Sequence, residues 1–348
     1  MTKEITGRQF VCAFKKAAAW HTPVACGAGD GLLITSDGIK ATIAQEMDDS
    51  AGQPWVTDID LGEMTTAGSL DAYMRYEGMD VLLAAVMGQA QVPALVVGST
   101  AYSNTYDMKT EIIGIFGTLA EQKLTDVAWE YPSVKVHGFK LAGEMNKPCT
   151  VGFELICDTL VRNSVTNTVG TLAAVAPLKG NRVIMNKDTV FRINDQSGAA
   201  LGVGDIVNPA SFELTVTRPM DSGAVAGQDG VAEPDDNGFP VVTLTLKFPR
   251  YNEANNAFFS SWAAGTPKKM DITFTGKLIS DGQYYTFRVL FPHLRVVDPE
   301  APLSGAGKIP FTMKLSAVGA SAAPLGMTTL TAPMRIEVIN KRTTNPLA

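Results

Sequence analysis

The chain predicts a mainly β protein built from two tandem antiparallel units, each with one helix. Three observations carry that reading. Polar and apolar residues alternate with a period of two through much of the sequence, as in strands that bury one face. Two short segments show helical spacing instead. The order of these elements then occurs a second time, and a long-period duplication governs any other fold argument.

The duplication is read from residue character and spacing. Trp55 to Gly88 reads strand, turn, strand, helix, and Phe212 to Gly265 reads the same. At an offset of 176 (258 − 82), the helix-core positions Leu82, Leu83 and Val86 fall on Phe258, Phe259 and Trp262. An Arg-Tyr pair opens both helices, Arg75-Tyr76 and Arg250-Tyr251. Tyr131 to Val136 answers Phe291 to Val296, and Lys147-Pro148 answers Ile309-Pro310.

In chain order, residues 1–28 form an N-terminal arm and residues 29–163 the first unit. A Thr-, Ala- and Gly-rich linker covers 164–180. The second unit spans 181–318, opening where Arg182 to Asp188 resembles Gly31 to Asp37. Residues 319–348 are a C-terminal extension in which Arg335 to Asn340 can add one strand. Clear alternation marks Ser69 to Arg75, Val242 to Phe248, Met270 to Thr275, Tyr284 to Val289 and Ile309 to Ser316. Their Thr, Tyr, Phe and Val content suits a pleated surface. The first helix runs through Met79, Leu82, Leu83, Val86 and Met87 to a stop at Gly88; the second stops at Gly265-Thr266-Pro267. One long acidic segment, 221–238, interrupts the hairpin that the first unit closes with Gly62 to Thr66. It reads as a flap or a reaching arm.

Composition narrows the function classes. The 348 residues are 45% hydrophobic and 18% charged, with a net charge of −6. That sparse charge favours a subunit with much surface in contact with other chains. The negative balance argues against a protein that grips phosphates with clustered Lys and Arg. No signal peptide or membrane-spanning run is read, so synthesis in a reducing cytoplasm is expected. Cys12, Cys26, Cys149 and Cys157 lack metal or redox spacing, and Cys149 and Cys157 share a face with Val151, Phe153 and Leu155, so core thiols are expected.

Candidate chemistry is weak throughout. His21, His137 and His293 stand apart with no metal-ligand spacing. Gly27-Ala28-Gly29-Asp30-Gly31 lacks the strand before and helix after that a phosphate cradle needs, so a flexible hinge is expected. Asp221-Ser222-Gly223 has no placed His and Asp partners. Asp58, Asp60 and Glu63 lack calcium-loop spacing. No catalytic, metal or cofactor site is assigned.

Several segments resemble the major tail tube proteins of long-tailed bacteriophages. They are Pro54 to Gly62, Ala67 to Arg75, Tyr76 to Gly88 and the opening Phe14 to Ala25. The resemblance implies an antiparallel β-sandwich or half-barrel flanked by a helix, two to a chain. It implies a structural subunit, not an enzyme, whose rings stack into a hollow conduit for DNA. With two folds per chain, three chains make a pseudo-sixfold ring. The implied partners are further copies of the chain, the tape-measure, tail-terminator and distal-tail proteins, and DNA sliding through the lumen without specific binding. The implied place is the virion tail, assembled in the host bacterial cytoplasm, with no membrane and no cofactor. Lumen-lining candidates are Thr57, Ser69, Asp71, Thr243 and Thr245. Inter-ring candidates are Asp221, Asp229, Glu233, Asp235 and Asp236, because hairpin tips in this architecture project along the tube axis. The alternatives are a two-domain β-sandwich adhesin or carbohydrate-binding protein, and the tube subunit of a tail-like bacterial secretion particle.

Overall fold

The computed structural model describes residues 4–56, 58–223, 230–303 and 305–348; Thr57 and Asp229 therefore lie outside the described residues. The first strands are β1 (Val11–Lys16), β2 (Gly31–Leu32), β3 (Ser36–Asp37), β4 (Lys40–Met47) and β5 (Ile59–Tyr73). Helix α1 (Asp80–Met87) precedes β6 (Ala94–Leu95), β7 (Tyr102–Asp107), β8 (Gly117–Gln122), β9 (Ala128–Glu144), β10 (Thr150–Cys157) and β11 (Val161–Arg162). Helix α2 (Val169–Leu172) leads to β12 (Val190–Asp195), β13 (Ile206–Val207), β14 (Ser211–Thr217) and the ribbon of β15 (Met220–Asp221) with β16 (Asp235–Asp236). Then come β17 (Val241–Phe248), α3 (Glu253–Ala263), β18 (Lys268–Ser280), β19 (Gln283–Glu300), β20 (Phe311–Ala317) and β21 (Arg335–Asn340).

One antiparallel pairing order occurs in both halves. In the first, β4 pairs with β5, β5 with β10 and β10 with β9. In the second, β14 pairs with β17, β17 with β20 and β20 with β19. A second layer is also built twice, as β2–β1–β8–β9 and as β13–β12–β18–β19. Strands β9 and β19 are long because each serves both layers, one with its N-terminal part and the other with its C-terminal part. Tyr131 and Phe291 hold the same place, opposite Leu119 and Met270.

The start of each unit differs from the sequence expectation. Val11–Lys16 is no free arm: β1 pairs with β8 along its whole length and buries Cys12, Ala13 and Phe14. Gly27 to Gly31 is no hinge. It is a single 3-10 turn in which Asp30 Oδ2 accepts from Gly27 N at 2.7 Å, and Asp205 Oδ2 repeats this with Gly202 N at 2.7 Å. That turn matches at an offset of 175 (202 − 27), so Ile206-Val207 answers Gly31-Leu32. Arg182 to Asp188 is not the counterpart of Gly31 to Asp37. Its bridges run to the first unit, Arg182 with Arg75 just past β5 and Ile184 with Pro148 just before β10. Gly62 to Thr66 lies inside β5, and the hairpin closes farther out between Met47 and Ile59.

The two units share one sheet. Strand β9 pairs with β14 through seven residue pairs, from Gly138–Thr217 to Glu144–Ser211. Close approach at this seam requires Gly143, where a Cβ would come within 2.4 Å of the Phe212 ring. One apolar core crosses the seam, with Phe139 and Leu141 on one side and Phe212, Leu214 and Val216 on the other. The extension supplies the expected strand: β21 pairs with β19 of the second unit and with β7 of the first.

Helix α1 is buried on nearly all sides instead of along one apolar stripe, whereas α3 packs by one face. Leu82, Leu83 and Val86 of α1 are fully buried, and Gly88 stops the helix in the left-handed region at φ 79°. Phe258 and Phe259 of α3 pack on the Phe311 ring at 6.3 and 5.7 Å between centroids. Trp262, expected as core, is 50% exposed because it sits in the last turn, beyond this aromatic cluster. All four cysteines are free and buried, and burial pushes the Cys26 and Cys149 thiols up to about 12.

A buried guanidinium ties the units together. Arg218, just past β14, donates to the carbonyls of Val86 (2.9 Å), Lys109 and Thr110 (3.2 Å), and Asp236 stands 3.5 Å away. It thus satisfies a carbonyl at the C-terminus of α1 and meets the negative end of that helix dipole. Replacing it takes this donor from the three carbonyls and the nearby cation from Asp236. Arg218→Ala should lower the unfolding free energy by about 3 kcal/mol in urea titration, the usual cost of orphaning a buried charge and its acceptors.

Candidate assembly surfaces

The continuous sheet presents one polar face across both units. Strand register places Asp71, Gly152, Lys140, Thr215, Thr243 and Ser316 in one row. The adjoining row holds Tyr73, Thr150, Ala142, Glu213, Thr245 and Lys314. Ser69 follows on the same face, opposite Glu154. The four described lumen candidates, Ser69, Asp71, Thr243 and Thr245, therefore share one surface. Leu70, Phe153, Leu214, Leu244 and Leu315 point the other way, into the core. The polar face pairs its own charges: Lys140 with Glu213 at 2.9 Å across the seam, and Lys314 with Asp298 at 2.7 Å. A groove of about 660 Å³ on it is lined by Glu144, Lys147, Glu213, Lys247 and Glu300 among others.

Two strand edges bound this sheet. At one end, β3 and β4 pair only with β5 among the described residues, and Lys40 to Met47 is exposed throughout. At the other, β19 pairs with β18 as far as Leu294, and beyond it that side of β19 has no strand partner among the described residues. Unpaired N–H and C=O groups in such rows are templates for another chain.

The segment 221–238 does not reach outward over its described part. Glu233 accepts from Lys135 Nζ at 2.8 Å and from Gly114 N at 2.7 Å, and Asp236 accepts from Ile112 N at 2.9 Å. The Val231 carbonyl accepts from Trp20 Nε1 at 2.9 Å. Glu233 and Asp236 are thus committed within the chain, whereas Asp221 and Asp235 remain exposed and face each other across the β15–β16 ribbon. Alternation gave no sign of the buried cations Arg218 and Lys135 that hold this segment, because their partners are more than a hundred and nearly a hundred residues away for the longest contacts. Among the described residues no group of three His, Cys, Asp or Glu is placed to hold a metal ion.

A titratable cluster lies behind the β3 edge. Lys123 pairs with Asp37 of β3 and, at 2.7 Å, with Glu121, whose side chain is fully buried. Burial pushes the Glu121 carboxyl up from 4.5 to about 7; the Lys123 charge opposes the rise and Asp37 adds to it. A carboxyl raised in the folded state holds its proton better there than in the unfolded chain. Its contribution is therefore complete at acid pH and is lost as pH rises through about 7. Wild-type stability should fall between about pH 4.5 and 7 by up to about 3 kcal/mol relative to Glu121→Gln in urea melts at each pH.

Residues 16–328 match the family described as phage tail tube protein, a span that covers both units, the seam and the polar face. No curated protein matches the chain. The mainly β architecture and the two open sheet edges are those of a subunit, and the matched family is a structural one. The chain belongs to the phage tail tube protein family and is a component of the virion tail.

Proposed function

We propose that three chains close a ring of approximate sixfold symmetry and that stacked rings form the conduit through which DNA is delivered. The β9–β14 seam carries this reading, because it is a working example of how the last strand of one unit meets the first strand of the next. The correspondence of the halves transfers that junction to the open edges. Thr215 answers Lys40 (215 − 175) and Lys140 answers Glu300 (140 + 160). Antiparallel pairing of β4 with β19 of a neighbouring chain then sets Lys40 opposite Glu300 and Thr42 opposite Asp298. Opposite charges meet, as Lys140 and Glu213 do at the internal seam.

The same reading makes two copies of one fold, about 11–157 and 190–317, with four sheet strands each. Three chains give about two dozen strands, enough for an aqueous channel on the trend from smaller barrels. The polar face then lines the lumen, with Ser69, Asp71, Thr243 and Thr245 toward the DNA. Lysines and carboxylates are interspersed on it, two of each in ion pairs, so it offers phosphates little net attraction and lets duplex slide. Asp221 and Asp235 are left for contacts at the ring face. Tape-measure, terminator and distal-tail proteins would engage the lumen and the two tube ends, with assembly in the host cytoplasm.

A double variant, Lys40→Cys with Glu300→Cys, tests the ring. The native thiols are buried, so background cross-linking is low. Mild oxidation should give covalent trimers on a denaturing gel, and negative-stain end views should average to three equal sectors around a hole. Single-chain bands only, or another rotational symmetry, would refute the closure.

A further inference from the structure

Strand β5 begins among carboxylates and ends among cations. Between Lys40 and Arg75 the sequence holds no Lys or Arg. Glu46, Asp48, Asp58 and Asp60 stand exposed around the start of the strand. At its far end, Arg75, Lys179, Arg182 and Lys277 line one pocket of about 500 Å³, with Asp188 the carboxylate in its wall. Four cations against one carboxylate make this pocket strongly positive in a chain of net charge −6. Three parts of the fold supply them. Arg75 follows β5, Lys179 and Arg182 belong to the connection between the units, and Lys277 lies in β18.

The arginines are placed against each other. Arg75 and Arg182 face across an isolated antiparallel bridge, and like charges set directly opposite repel. Burial and the Arg182 charge both push the Arg75 guanidinium below its ordinary value. Arg75 donates to the Gly180 carbonyl at 2.6 Å, while its Nε is buried with no hydrogen-bond partner among the described residues. The Arg182 guanidinium lies 5.1 Å from the centre of the Tyr73 ring. Stacking of this kind engages the face of the guanidinium and leaves its in-plane N–H groups for an anion. Lys179, Arg182 and Lys277 are exposed, and Asn181, Asn186 and Thr275 add amide and hydroxyl donors to the same wall. The second unit has the matching arginine without the pocket. Arg250 answers Arg75 at an offset of 175 (250 − 75). Tyr76 N donates to the Asn181 carbonyl at 3.2 Å, and Tyr251 N donates to the Ile309 carbonyl at 2.7 Å. Where Arg182 follows Asn181, Pro310 follows Ile309, so no second guanidinium arrives there.

We propose that this pocket binds a phosphate-class oxyanion, held between Arg75 and Arg182 with Lys179 and Lys277 adding charge. A guanidinium presents paired N–H donors that match two oxygens of a phosphate, and a lysine contributes as a point charge. The anion gives the Arg75 Nε an acceptor and turns repulsion between the two guanidiniums into attraction to a shared partner. It also joins the end of β5, the connection and β18 at one point, and so pins the two units together. All four cations belong to one chain, so the site goes beyond ring closure and does not depend on it. Free phosphate and the phosphates of a DNA backbone share this chemistry.

Titration calorimetry of full-length protein tests the site, with inorganic phosphate and a short DNA duplex as separate probes at one ionic strength. Arg75→Gln with Arg182→Gln removes the guanidinium pair. Lys179→Gln with Lys277→Gln removes only exposed charges and carries the test should the first variant fail to fold. Arg250→Gln takes the same charge from the matching position outside the pocket. Binding should weaken about tenfold in the arginine variant and about threefold in the lysine variant, and Arg250→Gln should stay within about twofold of wild type. Thermal unfolding gives a second readout: exchanging chloride for phosphate should raise the wild-type midpoint and leave that of the arginine variant unmoved. Pocket-dependent binding of the duplex names the DNA backbone as the source, and pocket-dependent binding of phosphate alone names the free ion; either supports the site. Wild-type protein that binds neither probe, or double variants that bind as tightly as wild type, would overturn it.

Discussion

The backbone ladder between β9 and β14 is the constraint on which the rest of the molecule depends. Seven residue pairs make the two units one sheet, so the inward or outward direction of every side chain is fixed in both at once. A slip of one residue there would turn Phe212, Leu214 and Val216 to solvent and bring Glu213 and Thr215 into the core. Several features hold the register. Gly143 lets the Phe212 ring lie against the backbone, Arg218 is anchored in the first unit directly beyond the ladder, and β21 bridges the units a second time through β7.

Much of this was legible in the chain. Alternation located β17, β18, β20 and the C-terminal β21, and helical spacing located α1 and α3, because those patterns are local. The register of Tyr131 against Phe291 was also legible, since the offset of 160 (291 − 131) spans strands without insertions. Arg182 to Asp188 matches Gly31 to Asp37 in polarity, whereas its bridges run to Arg75 and Pro148. The stronger signal was the Gly-x-Gly-Asp turn repeated at Gly27 and Gly202, which only makes sense once its aspartate is seen to cap the turn. The fold-back of 221–238 was hidden for a different reason. Composition reports that a segment is acidic; it does not report that Lys135 and Arg218 lie buried beneath it.

Of the proposed surface residues, Ser69, Asp71, Thr243 and Thr245 fell on one face because period two keeps them there in any antiparallel sheet. Glu233 and Asp236 did not behave as surface charges, since Lys135, Arg218 and backbone N–H groups of the first unit engage them. Trp262 shows the converse: a helical stripe predicts a direction, and the length of the neighbouring sheet decides whether anything lies in that direction. Electrostatics is likewise a matter of placement. A net charge of −6 suggests a uniformly acidic particle, yet the chain separates its charges toward the two ends of one strand and pairs those on the broad face between them.

Covalent linkage of the two units also changes the kinetics of closure. In a ring of three such chains, half of the lateral junctions already exist inside each molecule at the moment of synthesis, and their strands never search for one another through solution. By mass action the amount of closed ring then grows with the third power of free chain concentration, where six single-unit chains would require the sixth. Assembly from dilute protein becomes less steep in concentration, and fewer incomplete arcs accumulate on the way.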